Sequence, residues 1–339
     1  MNFSQEREYI GDLSQLFGVK QYTLTDGKSA GVRAVDIDNG GGLFFTVLAD
    51  RCMDLHQIRY AGVNLNYLAP VGVVNPLAYD ASGFNWLRSF DAGFLTTVGL
   101  SNIGLPNGDS GDQLGLHGRI ANTPSERFSV QLSDDGEPCV TITGVMREAE
   151  LFTSNLKLTR TYKCRLRSNE IEMTDVVENA GYRVSPFMIL YHFNFGYPLL
   201  DENARVIIDA ENTTPRNSHA ADYLAQWKTV LPPQDNFEEM CYYHNVKTDA
   251  QNHANIGIYN PNLRLKALIE YDNGVLDHLL QWKMFGKGEY VMGIEPCNGT
   301  GEGRADARAN GSLKFLAPGE KITFHFRLKF FSGDAAGAE

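Results

Sequence analysis

Hydrophobic and polar residues alternate with a period of two along most of the patterned segments of this chain. The clearest example is the segment 321–330, in which apolar residues occupy every second position from Ile322 to Phe330 and polar or charged residues occupy the others. Successive side chains of a strand point to opposite faces, so this pattern predicts a strand with one buried and one solvated face. The same alternation predicts strands at 43–48, 140–147, 156–166, 170–177, 187–195, 205–209, 264–271 and 290–295.

Helical periodicity is rare, and turn signals separate the predicted strands. Breaks rich in glycine, asparagine and aspartate, such as 38–42 and 272–274, stand between them at hairpin distances. The segments 12–17, 85–94 and 304–310 are candidates for short helices, but none has an apolar stripe long enough to cover a sheet. The sequence therefore predicts an antiparallel all-β fold of two large packed sheets with a few short helices.

Nothing in the sequence divides the chain into parts. No Pro-, Gly- or Ser-rich linker, composition shift or repeat of fixed period is visible. We therefore expect a single domain that spans residues 1–339. The segment 64–122 is the longest without clear alternation, and long irregular segments of compact domains commonly have a functional or capping role.

The chain is acidic, because 30 Lys and Arg residues face 41 Asp and Glu residues and leave a net charge of -11. Such a charge repels nucleic acids and anionic membrane surfaces, so we expect neither as a partner. Five scattered cysteines and a polar N-terminus without the apolar core of a secretory signal favour a reduced, cytoplasmic protein. The most apolar stretch, 186–200, is shorter than a membrane-spanning helix requires. The oligomeric state stays open, with a homodimer among the alternatives.

A histidine and an asparagine share one face of the predicted strand 187–195. In the segment Tyr191-His192-Phe193-Asn194-Phe195, a period of two places His192 and Asn194 together and the three aromatic rings on the opposite face. Histidine exchanges protons near neutral pH, which makes His192 a candidate acid or base. The alternative is a core histidine whose hydrogen bonds are satisfied locally.

Two further segments carry candidate site residues. His117 and Arg119 lie on one predicted loop and together offer several donors to a polyhydroxylated ligand, although a loop histidine is usually just solvated. Glu295 ends an apolar segment before Pro296, where burial would raise its pKa and make it a better base, and the alternative is a solvated charge at the sheet rim. The histidines lack metal-ligand spacing, and no nucleotide-binding motif is present. We therefore expect neither a metal nor a cofactor.

The order of these segments resembles the galactose mutarotase (aldose 1-epimerase) superfamily. Its members carry a Leu-His-Gly turn, a histidine in an aromatic strand, a glutamate in a late strand and then a Leu-x-Pro-Gly-Glu segment. The counterparts in this sequence are 116–118, 191–195, 293–296 and 316–320. A bacterial aldose 1-epimerase-like subfamily is similar over the segments 49–55, 116–119, 190–200 and 281–283.

This resemblance implies a large antiparallel β-supersandwich that interconverts the anomers of a sugar without a cofactor. In the mutarotases the late-strand glutamate is the base and the strand histidine is the acid, so these roles fall on Glu295 and His192. The Asn-Arg-Ile segment that carries the superfamily's binding arginine is not found here, and Arg51 and Arg88 are the candidates to replace it. The superfamily's sugar-binding aspartate has no assigned counterpart, which puts ordinary hexose specificity in question.

A set of substrate-binding residues is predicted around the acid and the base. Trp86, Tyr191 and Trp282 are candidates to lie against the apolar face of a sugar. The candidate substrate-binding residues are His117, Arg119, Arg88, Arg51, Asn194, Tyr191, Trp282 and Lys283. Four of these side chains are cationic, and guanidinium groups bind carboxylate, sulfate or phosphate in bidentate fashion, so an acidic sugar is one predicted substrate.

Two other functions fit the same residues. A non-catalytic carbohydrate-binding protein would keep the cleft without the reaction, because a fold does not determine an activity. A glycoside hydrolase or lyase on a similar sandwich would require a second carboxylate that faces Glu295.

Overall fold

The computed structural model describes residues 3–133 and 136–337, so the predicted domain 1–339 includes a few residues outside the described part. Strands make up 49 % of the structure and helices 11 %, which confirms the all-β prediction.

In the described residues, a first group of ten strands precedes residue 150 and a second group of twelve follows it. The first group is β1 (Gly18–Thr23), β2 (Arg33–Asp38), β3 (Leu43–Leu48), β4 (Asp54–Tyr60), β5 (Val63–Asn64), β6 (Leu95–Leu100), β7 (Asn107–Asp109), β8 (Asp112–Leu114), β9 (Glu126–Ser133) and β10 (Cys139–Ala149). The second group is β11 (Asn155–Arg165), β12 (Glu170–Asn179), β13 (Ser185–Gly196), β14 (Arg205–Ile208), β15 (Ala210–Pro215), β16 (Met240–Val246), β17 (His253–Asn260), β18 (Leu265–Asp272), β19 (His278–Gly286), β20 (Glu289–Cys297), β21 (Lys314–Leu316) and β22 (Lys321–Ser332).

The helices are short and lie between strands or near the ends of the described chain. The α-helices are α1 (Phe3–Glu6), α2 (Ser218–Asp222), α3 (Arg304–Ala309) and α4 (Asp334–Gly337). Single 3₁₀ turns form at Leu13–Gln15, Gly27–Ser29, Pro76–Ala78, Asn85–Arg88, Ile120–Asn122 and Leu224–Gln226. Across residues 3–133 and 136–337, no helix has the length and apolar character needed to cross a membrane.

The strands form three large antiparallel sheets and one small hairpin. The first sheet has the order β1-β2-β3-β4-β5, the second β14-β17-β18-β22-β12-β11-β10-β9 and the third β15-β16-β19-β20-β13-β21. Strand β6 also pairs with β13 of the third sheet, and β7 pairs with β8.

The second and third sheets pack face to face. Alternate residues of β22 are buried, as its period of two predicts. From this buried face, the Phe326 ring contacts Tyr191 and Phe193 of β13 at centroid distances of 4.5 and 5.8 Å. Aromatic pairs at such distances add about 0.5–1.5 kcal/mol beyond the burial of their area. This packing buries one face of β13 against the second sheet, so the opposite face is the one that can line a site.

The alternation in the sequence located strands well where one face is buried. All nine predicted strands are present, with ends within a few residues of the predicted bounds. Strand β6 lies in the segment 64–122 and escapes the pattern, because its sequence, Leu-Thr-Thr-Val-Gly-Leu, does not alternate apolar and polar residues. The three helical candidates are confirmed only as shorter elements, a 3₁₀ turn in the first two and α3 in the third.

Candidate active site

Three neighbouring strands of the third sheet carry the residues that converge on the candidate site. The register pairs Phe193 of β13 with Ile294 of β20, which makes His192 and Glu295 neighbours across these strands. Strand β19 continues the row by pairing Leu280 with Glu295. Directly paired residues of antiparallel strands point to the same face, so these side chains project from the face turned away from the second sheet.

His192 and Glu295 form a buried contact. Nε2 of His192 lies 3.2 Å from Oε1 of Glu295, and the two residues are 5 % and 3 % exposed. Burial disfavours the charged form of each group. It raises the pKa of Glu295 to about 8, with the charge of Glu239 acting in the same direction and that of Arg216 opposing it. It lowers the pKa of His192 to about 3, with His117 acting in the same direction.

A glycine makes room for this pair. Gly293 lies two residues before Glu295 on β20 and therefore faces the same side of the sheet. A Cβ atom at this position would overlap Oε1 of Glu295 and would lie 3.1 Å from Cε1 of His192. Any other residue would therefore push the carboxylate out of its present position.

His117 reaches the site from the loop that joins β8 to β9. Its backbone has a φ of 59°, and its N–H donates to the carbonyl oxygen of Gly104 at 2.9 Å. The N–H of Gly104 in turn donates to Nδ1 of His117 at 3.2 Å. Loss of solvent, with the charge of Arg216 acting in the same direction, lowers the pKa of His117 to about 4. The ring is therefore neutral at neutral pH, and its proton is on Nε2 because Nδ1 is an acceptor.

Aromatic side chains surround these polar groups. Phe90 and Trp282 flank His192, with ring centroids 5.4 and 5.5 Å from the imidazole. Trp86 stacks on Phe90 at 4.6 Å and lies 4.7 Å from the ring of His117. The cavity that they line has a volume of about 240 Å³. Apolar walls with a few convergent polar groups are typical of small-molecule sites, and this volume is somewhat below the roughly 300–1,000 Å³ usual for them.

An ion pair and two further hydrogen bonds order the polar side of the cavity. Arg216 donates from Nε and Nη2 to the two carboxylate oxygens of Glu302 at 2.7 and 3.3 Å. The hydroxyl of Tyr243 donates to the same carboxylate at 2.8 Å. Glu239 accepts the indole N–H of Trp282 at 2.7 Å. In the described part of the chain, no three His, Cys, Asp or Glu side chains are grouped so that they could hold a metal ion.

Several residues predicted from the sequence meet in this cavity. Glu295 and His192, the predicted catalytic residues, lie next to each other in its wall. His117, Trp282 and Trp86 line the same space.

The cationic residues predicted to bind substrate do not line this cavity. Arg51 is buried elsewhere and donates from all three guanidinium nitrogens to backbone carbonyls. Arg88 is exposed at the end of a 3₁₀ turn, and Arg119 lines a separate cavity of about 660 Å³. Lys283 is buried and donates from Nζ to the carbonyl oxygen of Gln226 at 2.9 Å.

Strand alternation explains why Tyr191 and Lys283 are absent from the cavity lining. Tyr191 points into the core between the sheets, where its hydroxyl donates to Asp175 at 2.9 Å, because neighbours of His192 on β13 face the opposite side. Lys283 is turned away from the cavity for the same reason, as the neighbour of Trp282. Asn194 shares the face of His192, but its amide donates to the carbonyl oxygen of His192 at 2.9 Å and does not line the cavity.

The sequence reasoning missed several residues of the lining, namely Phe84, Phe90, Arg216, Glu239 and Cys241. Cys241 carried no usable signal in the sequence, because the alternation of β16 is one of burial in the structure, with Met240, Tyr242 and His244 buried. The pairing of Cys241 with Trp282 then places it beside the cavity. That pairing joins distant parts of the chain and cannot be read from local pattern.

Solved structures share this architecture. A protein of Klebsiella pneumoniae subsp. pneumoniae, provisionally named an aldose 1-epimerase, matches with a TM-score of 0.89 at 26 % identity over 96 % of this chain and 87 % of its own. A galactose mutarotase-like protein of Clostridium acetobutylicum matches with a TM-score of 0.63 at 14 % identity over 93 % and 98 %. A galactose 1-epimerase of Lactobacillus acidophilus matches with a TM-score of 0.59 at 13 % identity over 93 % and 99 %. The protein therefore has the galactose mutarotase-like fold, and the resemblance seen in the sequence is confirmed.

Within this fold, the chain belongs to the DUF4432 family, described as a domain of unknown function, whose sequence profile matches residues 29–330. A search of curated proteins finds no match.

Proposed function

We propose that the protein is a cofactor-independent aldose 1-epimerase, an isomerase that interconverts the anomers of a sugar. The observation that carries the proposal is the 3.2 Å contact between His192 and Glu295 in the wall of a small aromatic cavity. The likeness to the Klebsiella pneumoniae protein and to a galactose 1-epimerase supports it.

His192 and Glu295 together hold one proton over a wide range of pH, and this proton is on Glu295. With pKa values of about 3 and about 8, the histidine is neutral and the glutamate is protonated between these limits. Transfer of that proton across the 3.2 Å contact turns the pair into a carboxylate and an imidazolium without changing its net charge. In this form a base lies next to an acid.

In the proposed reaction, the carboxylate of Glu295 takes the proton of the anomeric hydroxyl while the imidazolium of His192 gives its proton to the ring oxygen. The bond between the anomeric carbon and the ring oxygen breaks, and the sugar opens to the free aldehyde. Rotation about the adjacent carbon–carbon bond presents the other face of the carbonyl. On reclosure, Glu295 returns its proton to the carbonyl oxygen, and His192 takes back its proton from the hydroxyl that becomes the ring oxygen. Each transfer by a well-placed group contributes about 10²- to 10⁴-fold to the rate.

His117 and the aromatic walls have the supporting roles in this proposal. The Nε2–H of His117 is a neutral donor on the same cavity as the reacting pair, suited to hold a sugar oxygen without adding charge. Phe90 and Trp282 exclude water from around His192. Exclusion of water strengthens the electrostatic interactions between the pair and the sugar.

The test is anomer exchange measured by NMR saturation transfer with purified protein and free sugars. We expect Glu295→Gln to lower the exchange rate by about 10²-fold or more and to leave sugar affinity within about tenfold, because the amide keeps the shape and loses the base. His192→Asn should behave likewise, and the double variant should be little worse than the slower single variant, since residues that act as a unit are not additive. Glu289→Gln, at an exposed position on the same strand, is the matched control. Full exchange by folded Glu295→Gln protein would remove Glu295 from the reaction.

Assays on the same purified protein distinguish the proposed epimerase from a carbohydrate-binding protein and from a glycoside hydrolase. A carbohydrate-binding protein would bind sugar and leave the exchange rate at its uncatalysed value. A glycoside hydrolase needs a second carboxylate, and Glu239 lines the same cavity as Glu295. Release of reducing sugar from oligosaccharides would therefore favour hydrolysis over the proposed epimerisation.

A further inference from the structure

The walls of the cavity are mostly apolar side chains. Phe84, Trp86, Leu87, Phe90, Leu105 and Trp282 all line it. Phe84 and Leu87 are 59 % and 51 % exposed, so apolar surface extends outward from the buried rings to solvent. Exposed large apolar side chains grouped at one cavity mark a surface built for contact with an apolar group of a ligand.

Few side chains of the lining are available to hydrogen-bond the hydroxyls of a sugar. Beyond the reacting pair and His117, the polar lining residues are Arg216, Glu239, Cys241 and Gln281. Arg216 binds Glu302 through Nε and Nη2, and one oxygen of Glu239 accepts from Trp282, so part of the hydrogen-bonding capacity of each is already taken. The amide of Gln281 donates to the carbonyl oxygen of Trp227 at 3.2 Å on the other side of the sheet. A hydroxyl that enters this cavity without a partner loses its hydrogen bonds to water, which weakens binding.

The charges at the cavity disfavour an anionic sugar. Arg216 is the one cation among the described lining residues, and Glu302 binds it through both carboxylate oxygens. Glu239 adds a second carboxylate in the lining itself. None of the four cations behind the acidic-sugar prediction reaches this space, so the single cation Arg216 stands against the two carboxylates of Glu302 and Glu239.

Given the proposed epimerase function, we infer that the substrate is a neutral deoxy sugar, one with a methyl group in place of the exocyclic hydroxymethyl group. The methyl group gains contact with the aromatic and aliphatic walls, and the missing hydroxyl needs no partner among them. A hydroxymethyl group would leave its hydroxyl unpaired, and a carboxylate in that place would meet Glu239. A hydrophobic pocket discriminates against an added hydroxyl by no more than about 10²-fold, so we expect the deoxy sugar to be preferred and its parent to be a slower substrate.

Matched sugar series test this inference. Anomer exchange would be measured for D-glucose, 6-deoxy-D-glucose and D-glucuronate, and for D-galactose, 6-deoxy-D-galactose and D-galacturonate. We expect the deoxy sugar of at least one series to exceed its parent in kcat/KM by about tenfold or more, and the uronate to be the slowest of that series. A parent sugar that matches its deoxy relative in both series, or a uronate that exceeds it, would overturn the inference.

A charge variant tests the role of Glu239. Glu239→Gln keeps an acceptor for the indole of Trp282 and removes the negative charge, so the ratio of uronate to deoxy-sugar kcat/KM should rise by about fivefold. Glu238→Gln is the control, because Glu238 is exposed and does not line the cavity. An equal change in both variants would contradict the charge argument.

The design separates failure of the inferred substrate from failure of the proposed reaction. If no sugar exchanges, saturation-transfer difference NMR measures binding of the same six sugars. Preferential binding of the deoxy sugars would then reject the epimerase proposal and support the inferred ligand class. Absence of any preference in binding would reject the inferred class.

Discussion

Replacing Gly293 by alanine should separate catalysis from stability at the proposed site. The new Cβ would overlap Oε1 of Glu295, and ordinary van der Waals contact begins near 3.4 Å, so the carboxylate must retreat by about 1 Å. A misplacement of about 1 Å in a catalytic group costs about 10²-fold in rate, equivalent to about 2.7 kcal/mol of activation free energy. Alanine also relieves the conformational freedom of glycine in a strand, worth about 0.5–1 kcal/mol, so the unfolding free energy should change by less than the barrier does.

The assay is anomer exchange by NMR on Gly293→Ala protein, beside urea unfolding of the same sample. Gly286→Ala is the matched control, because Gly286 also lies in the third sheet and its added Cβ would meet only side-chain atoms, at 3.3 Å or more and away from the cavity. We expect a rate loss in Gly293→Ala alone, with a folded protein in both cases. Retention of the parent rate by Gly293→Ala would show that the present position of the Glu295 carboxylate is not required.

Two further predictions concern pH. The exchange rate should be nearly constant between the pKa values of His192 and Glu295, about 3 and about 8, and should fall on either side. The reason is that only the singly protonated pair contains both an acid and a base. A rate that keeps rising above pH 9 would contradict this role of the singly protonated pair. Glu295→Gln should gain stability relative to the parent as pH rises from about 5 to about 8, because the native carboxyl keeps its proton where the unfolded one, with a pKa near 4.5, has lost it. Urea unfolding at several pH values measures this difference, and a difference independent of pH would refute the raised pKa.

The local pattern of apolar and polar residues was sufficient to predict a strand that has one buried face and one solvent-exposed face. The residues of β22 show this, since their alternation predicted both the strand and its buried side. Strand β6 shows the limit, because it is buried throughout and its two threonines and glycine interrupt any alternation. Pairings such as Phe193 with Ile294 join residues far apart in the chain, so the order of strands in a sheet had to come from the structure.

The sequence predicted those features of the candidate site that depend on which way side chains point along one strand. A period of two put His192 and Asn194 on the face opposite the aromatic rings. The same rule would have excluded Tyr191 and Lys283, because they are the neighbours of His192 and Trp282, which face the cavity. The prediction for Arg51 rested on its charge alone, and in the short connection between β3 and β4 its guanidinium is held by three backbone carbonyls and by Asp91. No local feature of the sequence distinguishes an arginine held by such structural partners from one that binds a ligand.

The placement of the tryptophans gives this protein an optical probe of its own cavity. The chain contains three tryptophans, and two of them, Trp86 and Trp282, line the cavity. Trp282 is half-exposed and donates its indole N–H to Glu239, so a ligand that displaces water from its ring changes the polarity that its emission reports. Trp227, whose ring lies 4.6 Å from His244 outside the cavity lining, supplies a constant background. Ligands without a chromophore can therefore be titrated by intrinsic fluorescence on the unlabelled protein.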